Sequence, residues 1–128
     1  MTENAISKII VQSAIKIHTR LGPGLLESVY EKILAHELTS RGLEVEQQKY
    51  IPIIYDELII EAAFRADIIV NDKVILEIKS VKELEPVHYK QLLTYLRLTD
   101  RKLGLLLNFN TELMRDGIRR VVNGLEDG

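Results

Sequence analysis

Two short apolar runs on either side of one helical stretch constrain this chain more than any other feature. Val74-Ile75-Leu76-Glu77-Ile78-Lys79 and Leu103-Gly104-Leu105-Leu106-Leu107-Asn108-Phe109 have the length and branched-residue content of strands, the second reading as fully buried. Between them Pro86 opens a helix reaching about Thr99, with Leu92, Leu93, Tyr95 and Leu96 supplying contacts; proline is tolerated in a first helical turn. Parallel strands need a long connection, so a strand over 74–81, a helix over 86–99 and a strand over 103–109 have the length of a right-handed parallel crossover. The expected class is therefore α/β, a mixed sheet with helices on its faces.

Upstream, the hydrophobic period changes from helical to alternating. Ile6, Ile9, Ile10, Ala14, Ile17 and Leu21 mark an apolar stripe on a helix over 4–21. Gly22-Pro23-Gly24 ends it, since a residue before proline avoids the helical region and glycine permits the turn. A second helix is expected from about Leu25 to Arg41, with Leu25, Leu26, Val29, Tyr30, Ile33, Leu34 and Leu38 as its stripe and Gly42 as its stop. Strands are expected at 44–54, 58–64, 65–71 and 74–81, with turns at Tyr55-Asp56-Glu57 and Asn71-Asp72-Lys73. Pro52 marks the first of these strands as an edge or a bulge. Residues 118–122, preceded by Gly117, read as a last short strand.

A chain of 128 residues with 46% hydrophobic and 28% charged residues fits one domain over 1–128 with a real core. It has no cysteine, which excludes disulfides, zinc–thiolate sites, iron–sulfur clusters and thiol catalysis. No apolar run approaches membrane-spanning length, and Met1-Thr2-Glu3-Asn4 lacks the basic and apolar regions of a leader, so a cytoplasmic location without a membrane partner is expected. A net charge of −2 argues against nucleic-acid binding by bulk positive field alone. The basic residues Lys90, Arg97, Arg101, Lys102, Arg115, Arg119 and Arg120 lie in the later part of the chain, as a phosphate-contacting rim or as solvated surface.

Chemistry concentrates around Asp67 and Glu77-Ile78-Lys79. Side chains alternate across a strand, so Glu77 and Lys79 share one face, and an antiparallel partner strand brings Asp67 beside them. Two carboxylates and an amine at one place suit a magnesium-dependent phosphodiester hydrolase: Asp67 and Glu77 as hard oxygen donors, the Ile78 carbonyl as a further one, and Lys79 on the attacking water or the phosphate. A solvated ion pair on a strand face is the plainer alternative. Glu27, at the border of the second helix's stripe, suits either an inward-turned ligand or a partner of the helix dipole. Gln91 and Tyr95 are one turn apart on the third helix and share a face.

In order, these pieces resemble the PD-(D/E)XK nuclease superfamily, particularly its RecB-like branch: a helical Glu, an Asp, Glu-x-Lys, then Gln-x-x-x-Tyr. The resemblance is closer still to the small GxxExxY proteins, whose signature corresponds to Gly24-x-x-Glu27-x-x-Tyr30. The stretch His18–Tyr30 is similar to that family's first block, and Arg65-Ala-Asp67, Glu77-Ile-Lys79-Ser80, His88-x-x-Gln91-x-x-x-Tyr95 and Gly104–Phe109 are similar to later ones. Ala66 precedes Asp67 where the superfamily's name has proline, which leaves the carboxylate in place.

The resemblance covers about residues 5–122 and implies a restriction-endonuclease-like core and a magnesium- or manganese-dependent nuclease acting on nucleic acid, chiefly DNA. It implies Glu27, Asp67, Glu77 and Lys79 as catalytic residues, with Asp67, Glu77 and Glu27 on the metal. Gln91 and Tyr95 transfer as supports that orient ligands or touch the DNA backbone, and His18 and His88 as residues near the cluster or hydrogen-bonded within the fold. Two other classes stand beside this: a catalytically inactive nucleic-acid-binding or regulatory module with the same fold, and a subunit of a larger assembly. For a homodimer, Phe64, Phe109 or the apolar first helix is the expected contact.

Overall fold

The computed structural model describes residues 1–126. Helices α1 (Glu3–Leu21) and α2 (Glu27–Ser40) lead into strands β1 (Val45–Tyr55), β2 (Leu58–Val70) and β3 (Val74–Lys79). Then come α3 (Pro86–Thr99), β4 (Leu103–Asn108), a 3-10 turn at Met114–Gly117 and β5 (Ile118–Val122). The strands form one sheet in the order β1-β2-β3-β4-β5, antiparallel except for β3 and β4, which run parallel across the α3 connection.

Alternation along the strands builds two cores, one on each face of the sheet. Ile68, Val70, Val74, Leu76, Ile78, Leu103, Leu105 and Leu107 pack against α1 and α2. Ile69, Ile75 and Leu106 face the other way, against Leu92 and Leu96 of α3. Gly104 belongs to that second face: a Cβ there would stand 2.8 Å from Leu92, so glycine lets α3 lie close to the sheet.

Three boundaries differ from the sequence expectation, each for a local reason. Residues 58–64 and 65–71 are not two strands but one of 13 residues, because β1 pairs along it from Tyr55–Leu58 to Val45–Val70. A register shift between Ile51 and Ile53, at Pro52, absorbs the irregularity, and β1 is also an edge strand. Secondly, α2 starts at Glu27, because Gly24 takes φ +101° and Leu26 is extended. Its buried face is Tyr30, Glu31, Leu34, Ala35 and Leu38, so Leu25, Leu26 and Val29, expected in the stripe, are exposed. Thirdly, β3 ends at Lys79 and not at residue 81, where Asn108 takes over the loop: its side chain accepts from the Val81 amide at 3.1 Å and donates to the Val81 carbonyl at 3.0 Å.

The expected dimer contacts are occupied within the chain. Phe109 is buried and stacked on Tyr30 at 4.4 Å, Phe64 is stacked on Tyr95 at 4.0 Å, and the stripe of α1 lies on the sheet. Exposed apolar side chains gather instead on the outer half of the β1–β2 hairpin, at Ile54, Tyr55, Leu58 and Ile59.

Tyr30 shows why the Gly24-x-x-Glu27-x-x-Tyr30 spacing is demanding. Its hydroxyl donates to the Gly22 carbonyl at 2.5 Å and accepts from the Leu25 amide at 3.2 Å, closing the α1–α2 turn from inside. Replacing Tyr30 with Phe keeps the stack on Phe109 and leaves these two backbone groups unpaired. The expected loss is about 1–3 kcal/mol of unfolding free energy, read as a lowered denaturant midpoint with unchanged slope.

Candidate active site at the β2–β3 junction

β2 and β3 pair only over Ile68–Leu76, Ile69–Ile75 and Val70–Val74. Beyond Ile68 the strands separate, and Asp67 fills the gap: its Oδ2 accepts from the Ile78 amide at 2.9 Å. The separation has a visible cause. Ala66 packs on the α3 side and Ile68 on the α1/α2 side, so two residues that should share a face do not. Asp67 lies at the reversal, and opposite it on β1 Gln48 has φ +51°, while Gln47–Ile68 and Lys49–Ala66 pair normally around it. The paired irregularity turns the Asp67 carboxylate sideways onto β3.

Glu77 is the buried member of the site, 7% exposed on the α3 face of the sheet. Burial pushes its carboxyl up to about 9, and the charge of Asp67 and a hydrogen bond to the Asp67 side chain push in the same direction. The ammonium of Lys79, two residues along the same face, acts the opposite way without offsetting it. Glu77 therefore keeps its proton at neutral pH. Tyr95 closes the α3 side; its hydroxyl is raised by burial and then by the charges of Glu77 and Asp67.

The remaining expected residues fall in different places. Glu27 is exposed in the first turn of α2, where its carboxylate accepts from the Ser80 amide at 3.2 Å, and the Ser80 hydroxyl donates to the Leu25 carbonyl at 3.0 Å. It braces α2 against the end of β3, next to Lys79. Among the described residues no three His, Asp or Glu side chains gather in a way that could hold a metal ion, so Glu27 does not join Asp67 and Glu77 in a three-carboxylate cluster. Gln91 is exposed one turn before Tyr95. His18 Nε2 stands 2.8 Å from the Thr111 carbonyl, fastening α1 to the loop after β4, and His88 Nδ1 accepts from the Glu85 amide at 2.9 Å in the capping box of α3. The basic residues do not form one rim: Arg101 is paired with Asp72 at the β2–β3 turn, the end of the sheet opposite Lys79, and Arg120 donates to Asn4.

A profile of the PD-(D/E)XK nuclease superfamily matches residues 4–121, nearly the whole chain. The chain belongs to that superfamily. Its mixed five-stranded sheet flanked by helices is the α/β, restriction-endonuclease-like arrangement. Comparison with curated proteins finds no match, and neither does comparison with solved structures. No helix is long and apolar enough to cross a membrane among the described residues.

For this member of the PD-(D/E)XK superfamily, sequence reasoning passed over two polar residues at the junction. Glu31 is buried on α2, and its carboxyl is raised by burial and by the charge of Asp67. Gln48 donates to Glu31 Oε1 at 2.5 Å, with the same nitrogen 3.5 Å from Asp67 Oδ1. The one available signal was Glu31 standing a helical turn after Glu27 and beside Tyr30 on the buried stripe.

The proton on Glu77 has a measurable consequence. The folded chain holds it more tightly than the unfolded chain, so Glu77 contributes its full stability below about 4.5, and that contribution is lost as pH rises towards about 9. Glu77→Gln, which imitates the neutral carboxyl, should flatten the fall in denaturant midpoint across this window. An unchanged slope would show that Glu77 ionises normally.

Proposed function

We propose that this chain is a magnesium- or manganese-dependent nuclease hydrolysing phosphodiester bonds, with DNA as its substrate, and that within the superfamily it is one of the GxxExxY proteins. The observation that carries the reading is the convergence of Asp67, Glu77 and Lys79 where β2 leaves β3, with Tyr95 facing them from α3. The donor set fits a hard cation. Both carboxylates offer oxygen, and the small protein share suits magnesium, which keeps several of its waters. When bound, such an ion lowers the pKa of a water and offsets negative charge on the phosphate.

The chain's own residues divide the work. Asp67 enters with one oxygen already fixed by the Ile78 amide, so its other oxygen is directed. Glu77 must release its proton before it serves as a donor, which ties cation affinity to rising pH. Lys79 orients the attacking water or holds a phosphate oxygen as charge develops there. Glu27 orients the end of β3 through Ser80, and Gln91, exposed beside Tyr95, meets the DNA backbone. A chain without cysteine suits a reducing, cytoplasmic compartment.

The test is cleavage of single- and double-stranded DNA and RNA with magnesium or manganese varied. Lys79→Ala should reduce the rate by roughly 10²–10³, and Glu77→Ala should remove activity, with both variants folded by circular dichroism. Protein inert on every substrate with either metal would leave the inactive binding module as the better account, since a Glu77 that keeps its proton is compatible with it.

The reading extends to a homodimer through the outer β1–β2 hairpin, supported by exposed Ile54, Tyr55, Leu58 and Ile59 on and beside an edge strand. Light scattering after size exclusion should give a dimer mass, reduced to a monomer by Ile59→Lys. A wild-type monomer at working concentration removes the idea.

A further inference from the structure

Among the described residues, five other than glycine have positive φ: Gln48, Asp56, Asn71, Asp72 and Asp100. Four are Asp or Asn in turns or at the end of α3, where a short polar side chain tolerates the left-handed region. Gln48 is the exception. It is a long side chain in the middle of β1, at φ +51°, with no turn to require it. Such a conformation costs of order 1–3 kcal/mol and persists where the surroundings over-determine it.

What surrounds Gln48 is the junction itself. An amide nitrogen carries two hydrogens, and here one is directed at Glu31 Oε1, 2.5 Å away, and the other towards Asp67 Oδ1 at 3.5 Å. Asp67 Oδ2 is taken by the Ile78 amide at 2.9 Å. The carboxylate is thus approached from both sides, by a backbone donor on β3 and a side-chain donor on β1. Glu31 is buried on α2, a helix packed on the sheet, and is therefore a rigid anchor for the amide. An extended backbone at residue 48 would carry the side chain to a different face and break both contacts.

We propose that Gln48 is a positioning residue for the Asp67 carboxylate, held in its left-handed conformation by Glu31, so that α2 sets the direction of the oxygen Asp67 presents to the site. This rests on the reading of Asp67 as a site residue given above. It assigns the strain in β1 a task, and it gives the buried Glu31 a role distinct from that of Glu27.

The test separates positioning from simple support. Gln48→Gly relieves the backbone and deletes the amide, so the fold should survive; Gln48→Asn, which tolerates positive φ but is one methylene short, serves if the glycine variant does not fold. The first readout is hydrogen exchange at the Ile78 amide, which needs neither metal nor substrate. It should accelerate at least about tenfold in either variant while the Leu76 amide, inside the β2–β3 ladder, is unchanged. The second is Mn²⁺ affinity by calorimetry, expected to fall about 10- to 100-fold, as for partners that orient metal ligands. Glu31→Gln, which retains an acceptor oxygen, should keep Ile78 protected, and Glu31→Leu should not. Unaltered Ile78 exchange in folded Gln48→Gly or Gln48→Asn overturns the proposal. Wild-type protein that binds no Mn²⁺ sinks the nuclease reading instead, while Ile78 exchange still decides whether Gln48 fixes Asp67.

Discussion

The contact between the carboxyls of Asp67 and Glu77 is the constraint around which the rest of the structure is arranged. Two acids side by side, one of them almost wholly buried, cannot both ionise at modest cost, and the proton retained on Glu77 is the outcome. A fold selected for stability alone would fill this place with apolar residues, as it does at Ile75 two residues earlier on the same face. The cost is tolerated where the antiparallel ladder ends, because there an unpaired strand amide, that of Ile78, is available to a carboxylate oxygen. Strongly perturbed acids with a specific charge partner are what active sites tend to collect.

Around that pair, segments distant in sequence depend on each other for their backbone hydrogen bonds. Tyr30 closes the turn between α1 and α2; Glu27 and Ser80 tie that turn to the end of β3; Asn108 ties the end of β4 to Val81. Gly117 then packs so tightly on the Asn108 carbonyl that a Cβ would stand 2.1 Å from it. Glu27, Tyr30, Ser80 and Asn108 thus form the frame of one end of the sheet.

Much of the fold was legible because it rests on local signals. The three helices, the Pro52 edge and bulge, the two hairpin turns and the parallel crossover all follow from period, proline and turn residues. Less legible was the continuity of β2, since a strand irregularity at Pro52 and one opposite Gln48 look, in one dimension, like a break. The polar lining was only partly visible. Glu77 and Lys79 carry the alternation of their strand, Asp67 stands on the strand that pairs with it, and Tyr95 carries the face of α3. Glu31 and Gln48 were passed over, because an acid on an amphipathic helix and a glutamine in an edge strand are ordinarily at the surface. For His18 and His88 the sequence left two places open, near the cluster or hydrogen-bonded within the fold, and the structure engages both in hydrogen bonds that fasten helices.

By itself, the sequence determined the element order, the superfamily motifs and the presence of two acids and an amine on neighbouring strands. Side-chain periodicity and turn chemistry are properties of the local chain, so they survive without knowledge of its partners. Tertiary structure alone decided which of the helical acids approaches Asp67, that Glu27 braces the end of β3, and that Glu77 keeps its proton. Those outcomes depend on burial, on the distance between charges and on where one strand departs from the next, quantities that exist only once the sheet has closed between its helices.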